Sequence, residues 1–441
     1  MSNAVLESIK AAGVIGAGGA GFPTHVKLAG SAEVLIVNAA ECEPLIRVDQ
    51  QLLVSRTDDF LTGLTVALEL TGARKAYIAI KAKHHEAIEH IRAATATEEK
   101  VEVFEMGDFY PAGDEQILVY DVLARVVPRG GIPLAVACVV SNVETLINVA
   151  CATRDIPVTT SFVTIGGAVP SPATYELPLG ISYREALALA GADDTQGKRV
   201  LDGGPMMGTL IDDLDSPITK TTKAILLLPA DKRLIVEKAM SDGQILKQSR
   251  TACEQCQKCT DLCPRDLLGH DVKPHLIMRI ANYGLSDFSG MKRALGCSEC
   301  GACALYACPC NLSPRRVNML VKQQLLAAGV KVESEGVFEA SPMFAYRKIP
   351  VKRLIARLGL VDYDRPAPLT TNTWTPQRVT LLLKQHLGAP ATAVVAVGDI
   401  VKRGDPVGRI ADDRLGAHVH ASIDGKVTAV SDTAVTIARE R

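Results

Sequence analysis

The sequence predicts a multidomain α/β chain, and three observations carry that reading. Short apolar runs alternate with amphipathic helical patterns across the first third of the chain. Eight cysteines stand in two compact blocks between Cys253 and Cys308. From Pro376 onward the pattern breaks into short strands. A length of 441 residues suits several such units.

Composition narrows the class. Lys and Arg number 48 against 49 Asp and Glu, so nothing points to a polyanionic partner or an anionic membrane surface. Aromatic residues make up only 4%, too few for a base-stacking surface. The start, MSNAVLESIKAAGVIGAGG, lacks the basic residues and unbroken apolar run of a signal peptide. The best apolar stretch, 131–150, is interrupted by Asn142 and Glu144. These features predict a soluble, cytoplasmic protein without a membrane span, where thiolates stay reduced.

Residues 11–28 read AAGVIGAGGAGFPTHVKL. Gly16, Gly18, Gly19 and Gly21 let backbone N–H groups approach an anion, and Lys27 offers a counter-charge. The spacing is not that of a Walker loop, and a packing turn is the alternative. Glu33–Asn38 reads as a buried parallel strand that ends in Asn38-Ala39-Ala40-Glu41-Cys42-Glu43-Pro44. Open α/β sheets bind ligands outside the carboxyl ends of their strands, where Asn38, Glu41 and Glu43 fall. A helix at 58–71, a strand at Lys75–Ile80, a helix at His84–Ala94 and a strand at Val101–Phe104 continue the alternation. Gly113, Asp114 and Glu115 open a helix running to about Val127, where acids suit the dipole. Ala135–Val140 is a further strand, and Ser141-Asn142-Val143-Glu144-Thr145 opens the next helix.

From Thr160 a smaller α+β unit follows, with strands at Ser161–Ile165, Ala173–Leu177, Lys198–Leu201 and Ala224–Leu228 and a helix at Tyr183–Ala190. Met206 and Met207 stand in a loop between its strands, as core filler or beside an electron path. A helix at 231–248 leads to the cysteines.

The first block is C-x2-C-x2-C-x3-C-P (Cys253, Cys256, Cys259, Cys263) and the second is C-x2-C-x2-C-x4-C-P (Cys297, Cys300, Cys303, Cys308). Triplets at two-residue gaps point three thiolates at one cubane, and a cysteine before proline crosses to the other cluster. The spacing therefore assigns Cys253, Cys256, Cys259 and Cys308 to one [4Fe–4S] cluster, and Cys297, Cys300, Cys303 and Cys263 to a second. The extra residue before Cys308 departs from the usual spacing, and Cys310 is an alternative ligand to Cys308. Zinc sites use pairs, often with histidine, rather than triplets closed by C-P. Two adjacent clusters imply one-electron transfer. The helix at Pro314–Ala328 carries Arg315, Arg316 and Lys322, read as solvated surface, and Tyr346–Arg357 reads as a basic exposed helix or a docking surface.

GAGGAGFPTHVKL, VNAAECEP and SNVETLINV, in this order, resemble the flavin-binding subunit of respiratory complex I and, more closely, the RnfC subunits of Rnf-type electron-transport complexes. The resemblance implies a Rossmann-like domain that binds FMN with NADH stacked on the flavin. It places Gly16, Gly18, Gly19, Gly21 and Lys27 at the phosphate and ribityl chain, and Asn38, Glu41 and Glu43 on the flavin side. Gly113, Asp114 and Glu115 would stand near flavin and nicotinamide, with Val140, Ser141, Asn142 and Thr145 completing the pocket. Phe22 would lie beside the dinucleotide, and with Glu115 it is the resemblance's catalytic pair. Ala17 stands where the complex I motif has Arg, and Ser141 where it has Asn.

The same resemblance implies a β-grasp (SLBB) domain after the flavin domain. The segments Val397–Asp405 and His418–Val427 look like a barrel-sandwich hybrid without the carrier lysine at its hairpin tip. The implied units are 1–158 (FMN and NADH), 159–240 (SLBB), 241–328 (helical two-cluster ferredoxin), 329–375 (linker) and 376–441 (barrel-sandwich hybrid). In RnfC the barrel-sandwich module comes first. Its place at the C-terminus here, with the longer step to Cys308, resembles the cobalamin reductase family of propanediol-utilisation microcompartments. The implied activity is electron transfer from NADH through FMN and both clusters to cob(III)alamin and cob(II)alamin, with an adenosyltransferase and a microcompartment shell protein as partners. No Asp-x-His-x-x-Gly corrin motif is present. The alternatives are a soluble RnfC-like protein serving ferredoxin, and an electron-conducting adaptor without NADH activity.

Overall fold

The computed structural model describes residues 2–440 apart from 286, 333, 335, 372 and 373. Four parallel strands form the first sheet: β1 (Val34–Ala39), β2 (Lys75–Lys81), β3 (Val101–Met106) and β4 (Cys138–Asn142). Their order is β3-β2-β1-β4. β1 is almost wholly buried because its alternate residues enter two cores. Leu35 and Val37 pack on one face, Val34 and Ile36 on the other. Helices Thr57–Thr71 and Val143–Ala152 cover the first face so tightly that a Cβ on Gly63 would lie 1.9 Å from the Leu146 carbonyl oxygen. Helix Glu115–Leu123 contributes to the core on the other face.

The chain reverses direction across the sheet between β1 and β4. That switch point opens a crevice at the carboxyl ends of both strands, where Asn38 and Asn142 stand in register. β4 starts later than the sequence suggests. Pro133–Val136 makes a 3-10 turn, and Ala137 turns left-handed (φ 56°) before the strand begins.

The second sheet has β5 (Thr160–Gly167), β6 (Ala173–Pro178), β7 (Lys198–Asp202), β8 (Thr209–Ile211) and β9 (Ala224–Pro229). β5 and β9 pair in parallel at its centre. The helix expected at 231–248 is two helices, Arg233–Ala239 and Asp242–Ala252, because Ser241 and Gln244 form a capping box that restarts the backbone.

The segment 329–375 is not simply a linker. Ile349–Pro350 pairs with Phe109–Tyr110, and Leu369–Thr370 adds a parallel edge to β6. Helix Val351–Leu358 buries Val351, Leu354, Ile355 and Leu358, so the basic stretch before Arg357 is half core. From Arg378 the chain forms two small antiparallel sheets. This unit reaches back to the glycine loop: Leu387 N–H donates to the Gly21 carbonyl (2.9 Å). Buried Lys220 ties the Gly13 and His418 carbonyls together (2.6 and 2.9 Å). Among the described residues no helix is long and apolar enough to cross a membrane.

Candidate functional site

A cleft of ≈ 550 Å³ lies at the switch point. Gly16, Gly18, Gly19, Phe22 and Lys27 line it together with Asn38, Glu43, Gly113, Asp114, Glu115, Val140, Ser141, Asn142 and Thr145. Gly21, expected here too, is not part of the lining and packs against Thr221 and His386 instead. The glycine loop is held at its base. Gly16 N–H donates to the Phe22 carbonyl (2.8 Å), and Ala17 N–H donates to Thr145 Oγ1 (2.9 Å). Between these anchors Gly18, Gly19 and Ala20 are exposed to the cleft, and Gly19 has a φ of 108°, which favours glycine. Lys27 Nζ bridges Glu115 Oε1 (2.8 Å) and the Val140 carbonyl (3.0 Å), aligning a cation with β4.

Asn38 donates to the Gly113 carbonyl (2.9 Å). A Cβ at Gly113 would fall 2.8 Å from Cys42 Cβ, so only glycine keeps this approach. Asp114 caps its helix through Gln116 and Ile117 N–H, and its other oxygen takes an ion pair from Arg265 (2.8 Å). Arg265 lies two residues beyond Cys263, so this carboxylate joins the cleft to the cysteine loops. Asn142 caps helix Val143–Ala152 and donates to Asp49 (2.9 Å). The loop geometry, the lysine and the glycine-only approach fit a phosphorylated flavin.

Glu41 departs from the expectation. Its backbone is left-handed (φ 43°), which turns the side chain out of the cleft. Its carboxylate accepts from Val48 N–H and Asp49 N–H (2.8 Å) at a helix start and lines a second cavity instead. Burial and nearby Asp49 push its carboxyl up to about 8. Glu43 stays in the cleft and accepts from Met206 N–H (2.9 Å) and Met207 N–H (2.8 Å). Residues that the sequence reading left unassigned also line the cleft: Cys42, Tyr110, Thr221, Lys223 and Ser298. Tyr110 follows the Gly107 turn and precedes Pro111, a signal too short to read before the fold is known.

Both cysteine quartets gather as the spacing predicts. Cys253, Cys256, Cys259 and Cys308 line one small cavity, and Cys263, Cys297, Cys300 and Cys303 line another. The two triplet loops wind alike. Gln255 and Gln257 are left-handed (φ 54° and 64°), as are Glu299 and Gly301 at the equivalent positions (60° and 79°). Cys263 and Cys308 each precede a proline in extended backbone. N–H groups of Glu299 and Leu312 donate to Cys297 and Cys308 sulfurs (3.4 and 3.3 Å), an arrangement that favours a thiolate at both. The extra residue before Cys308 is absorbed by a π-helical turn at Ala302–Ala307, which leaves Cys308 in reach of the first quartet. Cys310, only partly buried, lines the same cavity. Donor set and loop shape fit two cubanes.

The cleft and the second quartet share a wall, since Ser298 and Cys300 line the cleft. Arg315 and Lys322 are not merely solvated. Arg315 donates to the Met206 carbonyl (3.2 Å), and Lys322 holds the Cys297 carbonyl and Glu299 (2.9 and 2.8 Å). Cys256 is exposed, so the first quartet faces solvent.

Residues 9–151 match the Nuo51 FMN-binding domain family, 162–210 the SLBB domain, 252–313 the 4Fe-4S dicluster domain and 368–440 the RnfC barrel sandwich hybrid domain. A cobalamin reductase PduS of Salmonella typhimurium is 44% identical over 99% of this chain and 96% of its own length. Its counterpart in Citrobacter freundii is 42% identical over the same shares. One component of a proton-translocating ferredoxin:NAD+ oxidoreductase complex of Clostridium ljungdahlii is 33% identical over 60% of this chain and 56% of its own. An NAD+-reducing [NiFe]-hydrogenase structure in the air-oxidized state aligns with a TM-score of 0.50 at 22% identity, covering 83% of this chain and 68% of that one, a likeness of fold. With near-complete coverage at that identity, the chain belongs to the PduS cobalamin reductase family.

Proposed function

We propose that this chain is an NADH-dependent oxidoreductase that delivers electrons through FMN and two [4Fe–4S] clusters to cobalamin. The observation that carries the reading is the common wall between the flavin-type cleft and Cys300. When bound, the flavin converts two-electron transfer from NADH into one-electron transfer to the clusters. The chain's own residues do the placing. The Gly16–Gly21 loop and Lys27 would hold the phosphate, Asn38 and Gly113 keep the cleft wall thin, and Phe22 and Glu115 frame the dinucleotide side. Cys263, Cys297, Cys300 and Cys303 would hold the cluster nearer the cleft. Cys253, Cys256, Cys259 and Cys308 would hold the outer one, with exposed Cys256 at the exit.

In this reading the first sheet is Rossmann-like and the second a β-grasp. Cobalamin enters from the names of the two relatives. The adenosyltransferase, the shell partner and the microcompartment address rest on the resemblance of the whole chain to that family. A second reading, service to ferredoxin, draws on the RnfC barrel sandwich match and the ferredoxin-linked relative.

The test is anaerobic. Protein loaded with FMN, iron and sulfide is mixed with NADH, flavin bleaching is followed, and hydroxocobalamin is then added. A cob(II)alamin band formed at an enzyme-dependent rate supports the proposal. Bleaching with cobalamin untouched and ferredoxin reduced transfers support to the second reading. An unbleached, flavin-loaded protein overturns both.

A further inference from the structure

The electron balance of the proposed reaction leaves a proton behind. NADH becomes NAD+ and yields two electrons and one proton. Two clusters accept one electron each, and neither accepts the proton. A cleft that turns over therefore needs a route by which that proton leaves.

A second cavity of ≈ 330 Å³ adjoins the cleft, lined by Glu41, Lys81, Lys83, His84 and Asp108 among others. Among the described residues Glu43 alone lines both spaces. Its carboxylate is fixed by Met206 and Met207 N–H groups, and Gly204 is pressed so close that a Cβ there would lie 2.3 Å from Oε2. Beyond it stands a ladder of titratable groups. Lys81 is buried, with Nζ 3.3 Å from the Glu41 carbonyl and 3.3 Å from Asp108. Asp108 also pairs with Lys83 (3.0 Å), whose side chain is 39% exposed and reaches solvent. Glu41 Oε2 is buried with no hydrogen-bond partner among the described residues. The cavity is polar and roomy enough for water to bridge these groups.

We infer that Glu43 takes the proton released in the cleft and passes it through the second cavity, by way of Lys81, to solvent. The inference rests on the NADH reading above. Burial raises the Glu43 carboxyl, opposed by the Met206 and Met207 N–H groups and by Lys238 and Arg315, and the neighbouring Cys42 thiol feels the charges of both Lys81 and Glu43. Burial lowers Lys81. Both shifts weaken each group's hold on its charge. At Asp108 burial is outweighed by Lys81 and Lys83, which hold its carboxyl below its usual range, so it serves as their counter-charge. The hydrogen leaves NADH together with its electron pair, so the proton is freed only once the clusters have taken both electrons; Glu43 accepts it then and gives it up before the next turnover, so charge and atoms balance.

The experiment is stopped-flow mixing of the cofactor-loaded full chain with NADH in weakly buffered solution. Flavin and cluster absorbance and a pH dye are read together. In Glu43→Gln, proton release falls at least tenfold further than cluster reduction, and added formate restores it. Lys81→Met, on the far side of the wall, shows the same divergence, and added methylamine restores it. Release that keeps pace with cluster reduction in either variant overturns the relay, as does a joint loss that neither addition restores. Wild-type protein that does not bleach at all overturns the NADH reading and the relay with it.

Discussion

The phenol of Tyr110 donates a 2.6 Å hydrogen bond to the carbonyl oxygen of Cys300. A residue of the cleft wall is thereby fastened to the loop carrying one of the inner quartet's sulfurs. Tyr110→Phe leaves that buried carbonyl unpaired, at a cost of about 1–3 kcal/mol. The expected outcome is a lower thermal midpoint and a changed electron paramagnetic resonance signal for one cluster only. Equal change in both signals, or in neither, would count against the assignment of Cys300 to the inner quartet.

Cys308 and Cys310 separate by geometry. Cys308 is buried and its sulfur accepts the Leu312 N–H, whereas Cys310 is only partly buried. Cys308→Ala therefore loses about half the iron and acid-labile sulfide found in wild-type protein, as two equivalent cubanes require. Cys310→Ala keeps full content. Retention of full iron by Cys308→Ala together with its loss from Cys310→Ala would reverse the ligand choice.

Glu41 gives a pH dependence with a definite sign. Its carboxyl is raised from 4.5 to about 8 on folding, first by burial and then by Asp49. Between those values the native state holds the proton more tightly than the unfolded chain, so stability falls as pH rises through that window. Glu41→Gln keeps an acceptor for the Val48 and Asp49 N–H groups but does not titrate. Its thermal midpoint should fall less steeply than wild type between about pH 5 and pH 8. Parallel profiles would show that Glu41 is ionised in the native protein throughout.

Gly204→Ala tests the wall beside Glu43. The new methyl would sit 2.4 Å from Glu43 Cβ, too near the backbone for a rotamer change to relieve. The Gly203–Gly208 loop must move away from the cleft. Flavin retention during gel filtration should fall several-fold, with iron content unchanged. Loss of iron without loss of flavin would place the strain on the cysteine loops instead.

The cysteine quartets were legible because ligand spacing is a local property, and the crossed pairing follows from two C-P steps. The crevice residues Asn38 and Asn142 were legible because strand ends can be read from apolar runs, whereas Gly113, ahead of a helix, was reached only through the family resemblance. Glu41 was not, because its direction depends on a left-handed backbone that sequence does not announce for glutamate. The pairing of Ile349–Pro350 with Phe109–Tyr110 was not either, since two-residue strands exist only through their partners. The break at Ser241 carried a readable signal, Ser-x-x-Gln, that the helical pattern around it concealed. The π-turn before Cys308 could be counted as an extra residue but not located.

The contact between Leu387 and Gly21 bears on how the protein is made. The glycine loop leaves the ribosome well before the residues that brace it, Gln385 to Leu387 and His418. The lysine that joins them, Lys220, emerges midway. A nascent chain with a finished first sheet thus still has an unbraced glycine loop. A chain truncated before residue 385 is therefore expected to fold its first sheet yet lose FMN during gel filtration.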